Sequence, residues 1–168
     1  GMGSPVFRSV CEAVSGLTYR TTVIPDCHYV GSRLRAADLA EVRSRGSDPV
    51  EAIIKGYVYG DRCVTILAGG EPICVYGAVS TGQSPKSASV WMLGTDGVYA
   101  NRRDFIKDSR ERVHDLIRDY ELVWNYVDSR NHLHVRWLRW LGFTFIRSTT
   151  ELSVDGTPYY EFAKLTHV

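Results

Sequence analysis

Residues 121–145 place the tightest constraint on how this chain can fold. Leu122, Val123, Trp124, Tyr126 and Val127 are apolar or aromatic, and only Asn125 interrupts them. Such a run reads as a strand covered on both faces of a sheet. Asp128-Ser129-Arg130-Asn131 then breaks it with turn and helix-capping residues. Leu133, Trp137, Trp140 and Leu141 recur at helical spacing, with Arg136 and Arg139 on the other side. Gly142 is placed to close that helix, and Phe143 and Phe145 begin another strand. Strand, short helix and strand therefore succeed one another with almost no connecting chain.

The preceding sequence supplies the other elements. A short helix is expected over residues 4–16, where Val6, Val10 and Val14 recur every four, and a β-branched strand over 17–24. Pro25-Asp26 ends that strand and caps the next helix. Val30, Leu34, Leu39 and Val42 predict one or two helices ending by Gly46, and Ser47-Asp48-Pro49 restarts a helix with Val50, Ile53, Ile54 and Tyr57 on one face. Residues 63–68 and 73–79 read as strands joined by a Gly-Gly turn, 81–88 as a polar loop, and 89–93 as the next strand. The longest helix starts at Asn101 or Asp104, with Phe105, Ile106, Ser109, Val113, Leu116, Ile117 and Tyr120 facing inward. Asp155-Gly156-Thr157-Pro158 is a hairpin turn before a last strand over 159–165.

Composition excludes several classes. A net charge of +1 gives no electrostatic case for nucleic acid or an anionic membrane. No apolar run is long enough to span a bilayer, and no signal peptide is expected. Cys11, Cys27, Cys63 and Cys74 show no C-x-x-C pairing and read as reduced, mostly buried thiols of a cytosolic protein. His132 and His134, two apart on a helix, point to different sides, so no metal is expected. Residues 1–3 read as an expression scar, leaving 4–168 as one domain.

Asn131, followed by a helix ending in Trp140-Leu141-Gly142-Phe143, resembles the C-terminal motif of the GNAT acyltransferase superfamily, N-x-x-A-x-x-L-Y-x-x-x-G-F. Trp124-Asn125-Tyr126-Val127 with Asn131, His134, Val135, Arg136 and Leu141-Gly142 is more narrowly similar to small GNAT-like proteins of short-tailed phages. One member of that group is a minor internal virion protein. The narrow likeness covers residues 91–145.

The resemblance implies an α+β fold, with a mixed central sheet of about seven strands and helices on both faces. It makes the strands at 89–93 and 122–127 parallel neighbours that splay at one end. It implies that acetyl-CoA pairs its pantetheine with backbone around Leu93, Gly94 and Thr95. Its phosphates then lie near Asn101, Arg102 and Arg103, and Asn131 faces the cofactor. Two features depart from the family. Tyr99 to Phe105 lacks the Q/R-x-x-G-x-G/A glycines that let a pyrophosphate approach the backbone. Leu138 stands where the family has its tyrosine acid. The strand at 89–93 has no glutamate base either, which leaves Asp38, Glu41, Asp96 and Asp128 as substitutes. The expected function is that of a phage or prophage protein, a degenerate acyltransferase serving in the virion or its assembly, with phage head or tail proteins as partners. The alternative is an active acetyl-CoA-dependent N-acetyltransferase.

Overall fold

The structure, a computed structural model, describes residues 15–167. The expected expression scar, Cys11 and the expected N-terminal helix through residue 14 lie outside them. In chain order the elements are β1 (Leu17–Thr21), α1 (Ile24–Gly31), α2 (Ala36–Ser44), α3 (Pro49–Tyr59), β2 (Arg62–Ala68), β3 (Glu71–Gln83) and β4 (Lys86–Gly94). Then come α4 (Asp96–Ala100), α5 (Arg102–Ile117), β5 (Leu122–Asp128), α6 (His132–Trp140), β6 (Thr144–Thr149) and β7 (Tyr159–Leu165). The strands form one sheet in the order β1-β2-β3-β4-β5-β7-β6. The β4–β5 pair is parallel, with α5 as its crossover, and the other neighbours are antiparallel. This is the expected α+β mixed sheet.

Local chemistry explains the element boundaries. Asp48 caps α3 by accepting the Glu51 amide at 3.1 Å, with Pro49 in the first turn. At the end of α6, Gly142 takes φ +92°. The Phe143 amide donates to Leu138 and the Gly142 amide to Arg139. That pair of bonds is a Schellman closure, and its left-handed residue favours glycine. Cys27, Val30, Ile53 and Val75 form the core on the α1/α3 face. The larger core on the other face joins α5 and α6 to the sheet through Phe105, Leu116, Val135, Leu138, Leu141 and Phe162.

Several expectations are corrected. The polar loop at 81–88 is instead the far end of the β3–β4 hairpin, with Ser80 opposite Ala88 and Gln83 opposite Lys86. Ala88 still belongs to the core, but beyond it the strands project into solvent, so neither face needs apolar residues and the usual alternation is lost. The first strand stops at Thr21, because Pro25 belongs to the first turn of α1. Ile106 is exposed on α5. On α6 the buried positions are Val135 and Leu138, followed by Leu141, whereas Leu133 and Trp140 are exposed. The helix is rotated from the expected stripe because Leu138 and Leu141 meet the sheet, and Trp140 stacks under the Arg110 guanidinium at its rim. Trp124 is half-buried rather than core, and its indole donates to Thr81 at 3.1 Å.

Asp26, at the start of α1, is 3% exposed. Burial pushes its carboxyl upward. The paired Arg20 guanidinium, the Val23 amide and the Thr65 hydroxyl together hold it below its ordinary value. A carboxyl depressed in the folded state stabilises above about pH 4, and that contribution fades as pH falls through the folded value. Asp26→Asn is therefore expected to flatten the acid limb of a stability-versus-pH curve, with the difference from the parent largest near neutrality. Equal acid limbs in urea titrations would contradict it.

Candidate functional site

β4 and β5 pair only over Ser87–Ser89 and Leu122–Trp124. Beyond that they separate, as expected, while β4 runs on to Gly94 and β5 to Asp128. At the fork the Asn125 side-chain Nδ2 donates to the Val90 carbonyl at 2.8 Å, replacing a lost ladder bond. Farther out, the gap-facing backbone of both strands needs other partners. Helix α2 supplies them. Asp38 and Glu41 lie three apart and so share one helix face. Asp38 Oδ2 accepts the Gly94 amide of β4 at 2.9 Å, and Glu41 Oε1 accepts the Asp128 amide of β5 at 2.7 Å. The Arg35 amide donates to the Gly94 carbonyl at 2.9 Å.

Asn131 ties the two sides together. Its Nδ2 donates to Asp38 Oδ1 at 3.1 Å and reaches Glu41 Oε2 at 3.5 Å, and its Oδ1 accepts from Arg35 Nη1 at 3.2 Å. It stands at the N-cap of α6 but makes no capping bond; its side chain turns inward and is 2% exposed. Arg35 pairs with Asp38 at 2.7 Å, and Arg130 pairs with Asp128 at 2.7 Å. Tyr159 of β7, fully buried, donates to the Glu41 carbonyl at 2.9 Å and contacts the Ser44 hydroxyl. Helix α2 is thus fastened to β4 and to the β5–β7 half of the sheet at once.

Burial raises the Glu41 carboxyl to about 7, and the charges of Asp38 and Asp128 push the same way against the Asp128 N–H bond. Burial lowers the His134 imidazole, with the Asp38 charge pulling the other way. A cavity of about 420 Å³ passes through the split, lined by Glu41, Trp91, Met92, Asn125, His134 and Trp137 among others.

The remaining expected site residues lie apart from this network. Leu93 pairs with Val75 in β3. Thr95 caps the short α4, its Oγ1 accepting the Gly97 amide at 3.1 Å, while its own amide donates to Ile73 at 2.8 Å. Asn101 joins α4 to α5 and donates to the Gly97 carbonyl at 2.8 Å. Arg102 lies over the Tyr99 ring, Arg103 is exposed, and Asp96 is exposed in the first turn of α4. Arg35 and Tyr159 carry no local signal in the sequence. The signal for Asp38 and Glu41 is two acids at i, i+3 on a helix with little apolar periodicity of its own.

A seven-stranded mixed sheet, flanked by helices and split between its two parallel strands, is the fold of the GNAT acetyltransferases. Among solved structures it is similar to a spermidine N-acetyltransferase from Vibrio cholerae in complex with CoA and spermine. The TM-score is 0.68 at 14% identity, over 90% of this chain and 96% of that one. An aminoglycoside N(6′)-acetyltransferase from Legionella pneumophila gives 0.69 at 10% identity, over 89% and 92%. Ard1 from Thermoplasma volcanium gives 0.65 at 13%, over 91% and 99%. Residues 62–150, more than half of the chain, match the family described as Bacteriophage T7, probable scaffold protein Gp13, and the chain belongs to that family. The probable scaffold protein gp13 of Escherichia phage T7 is 25% identical over 112 residues, which are 64% of this chain and 72% of that protein. Among the described residues no helix is long and apolar enough to cross a membrane.

Proposed function

We propose that this protein is a phage virion or assembly component in which the acetyltransferase fold serves as a scaffold and acyl transfer has been lost. One observation carries the reading: the Gly94 amide and carbonyl, which face the split, are held by Asp38 and Arg35. In the family those groups are where pantetheine is expected to pair. The turn before α5 supports the same reading. It is a capped helical turn that uses its amides internally, where a glycine loop would present them to a pyrophosphate. The partners of such a component are phage head or tail proteins, and its place is the host cytoplasm or the particle.

A second reading, acetyl-CoA-dependent N-acetylation, is favoured by the cavity that reaches Glu41. A carboxyl near 7 is suited to accept a proton from an amine.

Melting curves with acetyl-CoA and acetyl transfer to spermidine and an aminoglycoside separate the two. We expect no shift and no turnover above background, and the protein recovered in purified particles or assembly intermediates of the phage that encodes it. A cofactor held at 100 times its dissociation constant adds about 2.7 kcal/mol, or about 5–11 °C in a domain of this size. A shift of that order with steady turnover would carry the enzyme reading instead.

A further inference from the structure

We propose that Asp38, Glu41 and His134 form a binding site for one divalent first-row transition ion, at the open end of the split between β4 and β5. One ligand atom from each lies within 4.8 Å of the others. Ligands about 2.0–2.2 Å from one tetrahedral ion sit about 3.3–3.6 Å from one another, so closing the set shortens its separations by about 1.5 Å at most, within reach of side-chain rotation.

The set has the surroundings such a site needs. Both carboxylates are already oriented from behind: Asp38 by the Gly94 amide, Asn131 and Arg35, and Glu41 by the Asp128 amide. Hydrogen bonds of this kind fix ligands for a metal. A carboxylate has about four lone-pair sites, and three donors on Asp38 leave one open. The independent pointer is His134. Its Nδ1 is buried and has no hydrogen-bond partner, so the histidine of the set keeps a lone pair or an N–H unused.

Charge points the same way. Among the described residues, Asp38 pairs with Arg35 and Asp128 with Arg130, whereas Glu41 has no cation at ion-pair distance. A dication would supply the charge that the third carboxylate lacks. One imidazole nitrogen with two carboxylate oxygens suits Zn²⁺, Mn²⁺ or Co²⁺ better than Mg²⁺ or Ca²⁺, which take oxygen ligands alone. Three protein ligands leave a further position for water. Since Glu41 and His134 line the cavity, that position opens toward it. The site bridges α2 and α6, and it does not depend on whether acyl transfer survives.

The test uses the full chain stripped with EDTA and desalted. Isothermal titration with Zn²⁺ and Mn²⁺ is expected to give one site per chain. At about 100 times the dissociation constant, melting is expected to rise by about 5–11 °C. Mg²⁺ and Ca²⁺ should give neither. The Co²⁺ complex should show visible d–d bands without a thiolate charge-transfer band, because no cysteine belongs to the set. Glu41→Gln and His134→Gln should each weaken binding at least about tenfold, while His132→Gln leaves it unchanged. Circular dichroism and melting in EDTA establish that each variant is folded, and if one is not, the other decides. Failure of the stripped protein to bind any of the three ions overturns the proposal. So does binding that survives both variants, or a thiolate band, which would place the ion at the cysteines.

Discussion

Asp38→Ala is expected to lower the unfolding free energy by about 3–5 kcal/mol, measured from urea midpoints in the presence of EDTA. Asp38 is 1% exposed and answers three donors: the Gly94 amide, the Arg35 guanidinium and the Asn131 amide. Removing the carboxylate strands all three, one of them a charge on a side chain that is itself largely enclosed. Breaking a buried pair from one side costs far more than the pair contributes, because the remaining charge keeps its desolvation penalty. Asp38→Asn keeps the shape and one acceptor, so its loss is expected to be smaller, on the order of 1–3 kcal/mol. A loss below about 1 kcal/mol for the alanine variant would mean that α2 does not hold the splayed strand ends in place.

Phe162→Ala is expected to cost about 3–5 kcal/mol, whereas Trp140→Ala is expected to cost less than about 1 kcal/mol. Phe162 is 4% exposed and meets the Phe143 ring edge-on at 5.3 Å and the Phe145 ring at 6.3 Å. It joins β7 to the chain leaving α6, so truncation opens a void at the centre of the larger core. Trp140 is 41% exposed and carries the Arg110 guanidinium over its face, an exposed arrangement worth about 0.5–1 kcal/mol. Equal losses at the two positions would show that α6 is rotated back to the face its apolar spacing suggests. The comparison uses midpoint shifts at constant slope, which report stability rather than a change in the denatured state.

The α6 face shows why pattern reading succeeds only in part. Asn131 and Gly142 mark the ends of the helix by residue type, but only the left-handed closure at Gly142 is local. The Asn131 side chain is taken by Asp38 and Arg35 and caps nothing. Which stripe of that helix turns inward is not local. Leu133 and Trp140 are as apolar as Leu138, and only the position of β7 and Phe162 selects among them. The β3–β4 hairpin escapes the pattern for a related reason: where a strand leaves the core, burial no longer writes its alternation into the sequence.

The sequence by itself determined the order of elements, the strand–helix–strand unit at residues 121–145, the absent glycine loop and the leucine in place of tyrosine. Each is a matter of residue type and short spacing, which backbone geometry and side-chain chemistry fix directly. Tertiary structure alone decided that Asp38 and Glu41 meet Asn131 and His134. Those residues lie some ninety positions apart and carry no mutual signal in the chain. They meet because the parallel strands must splay, because splaying leaves backbone amides without partners, and because the nearest helix face offers two carboxylates to receive them.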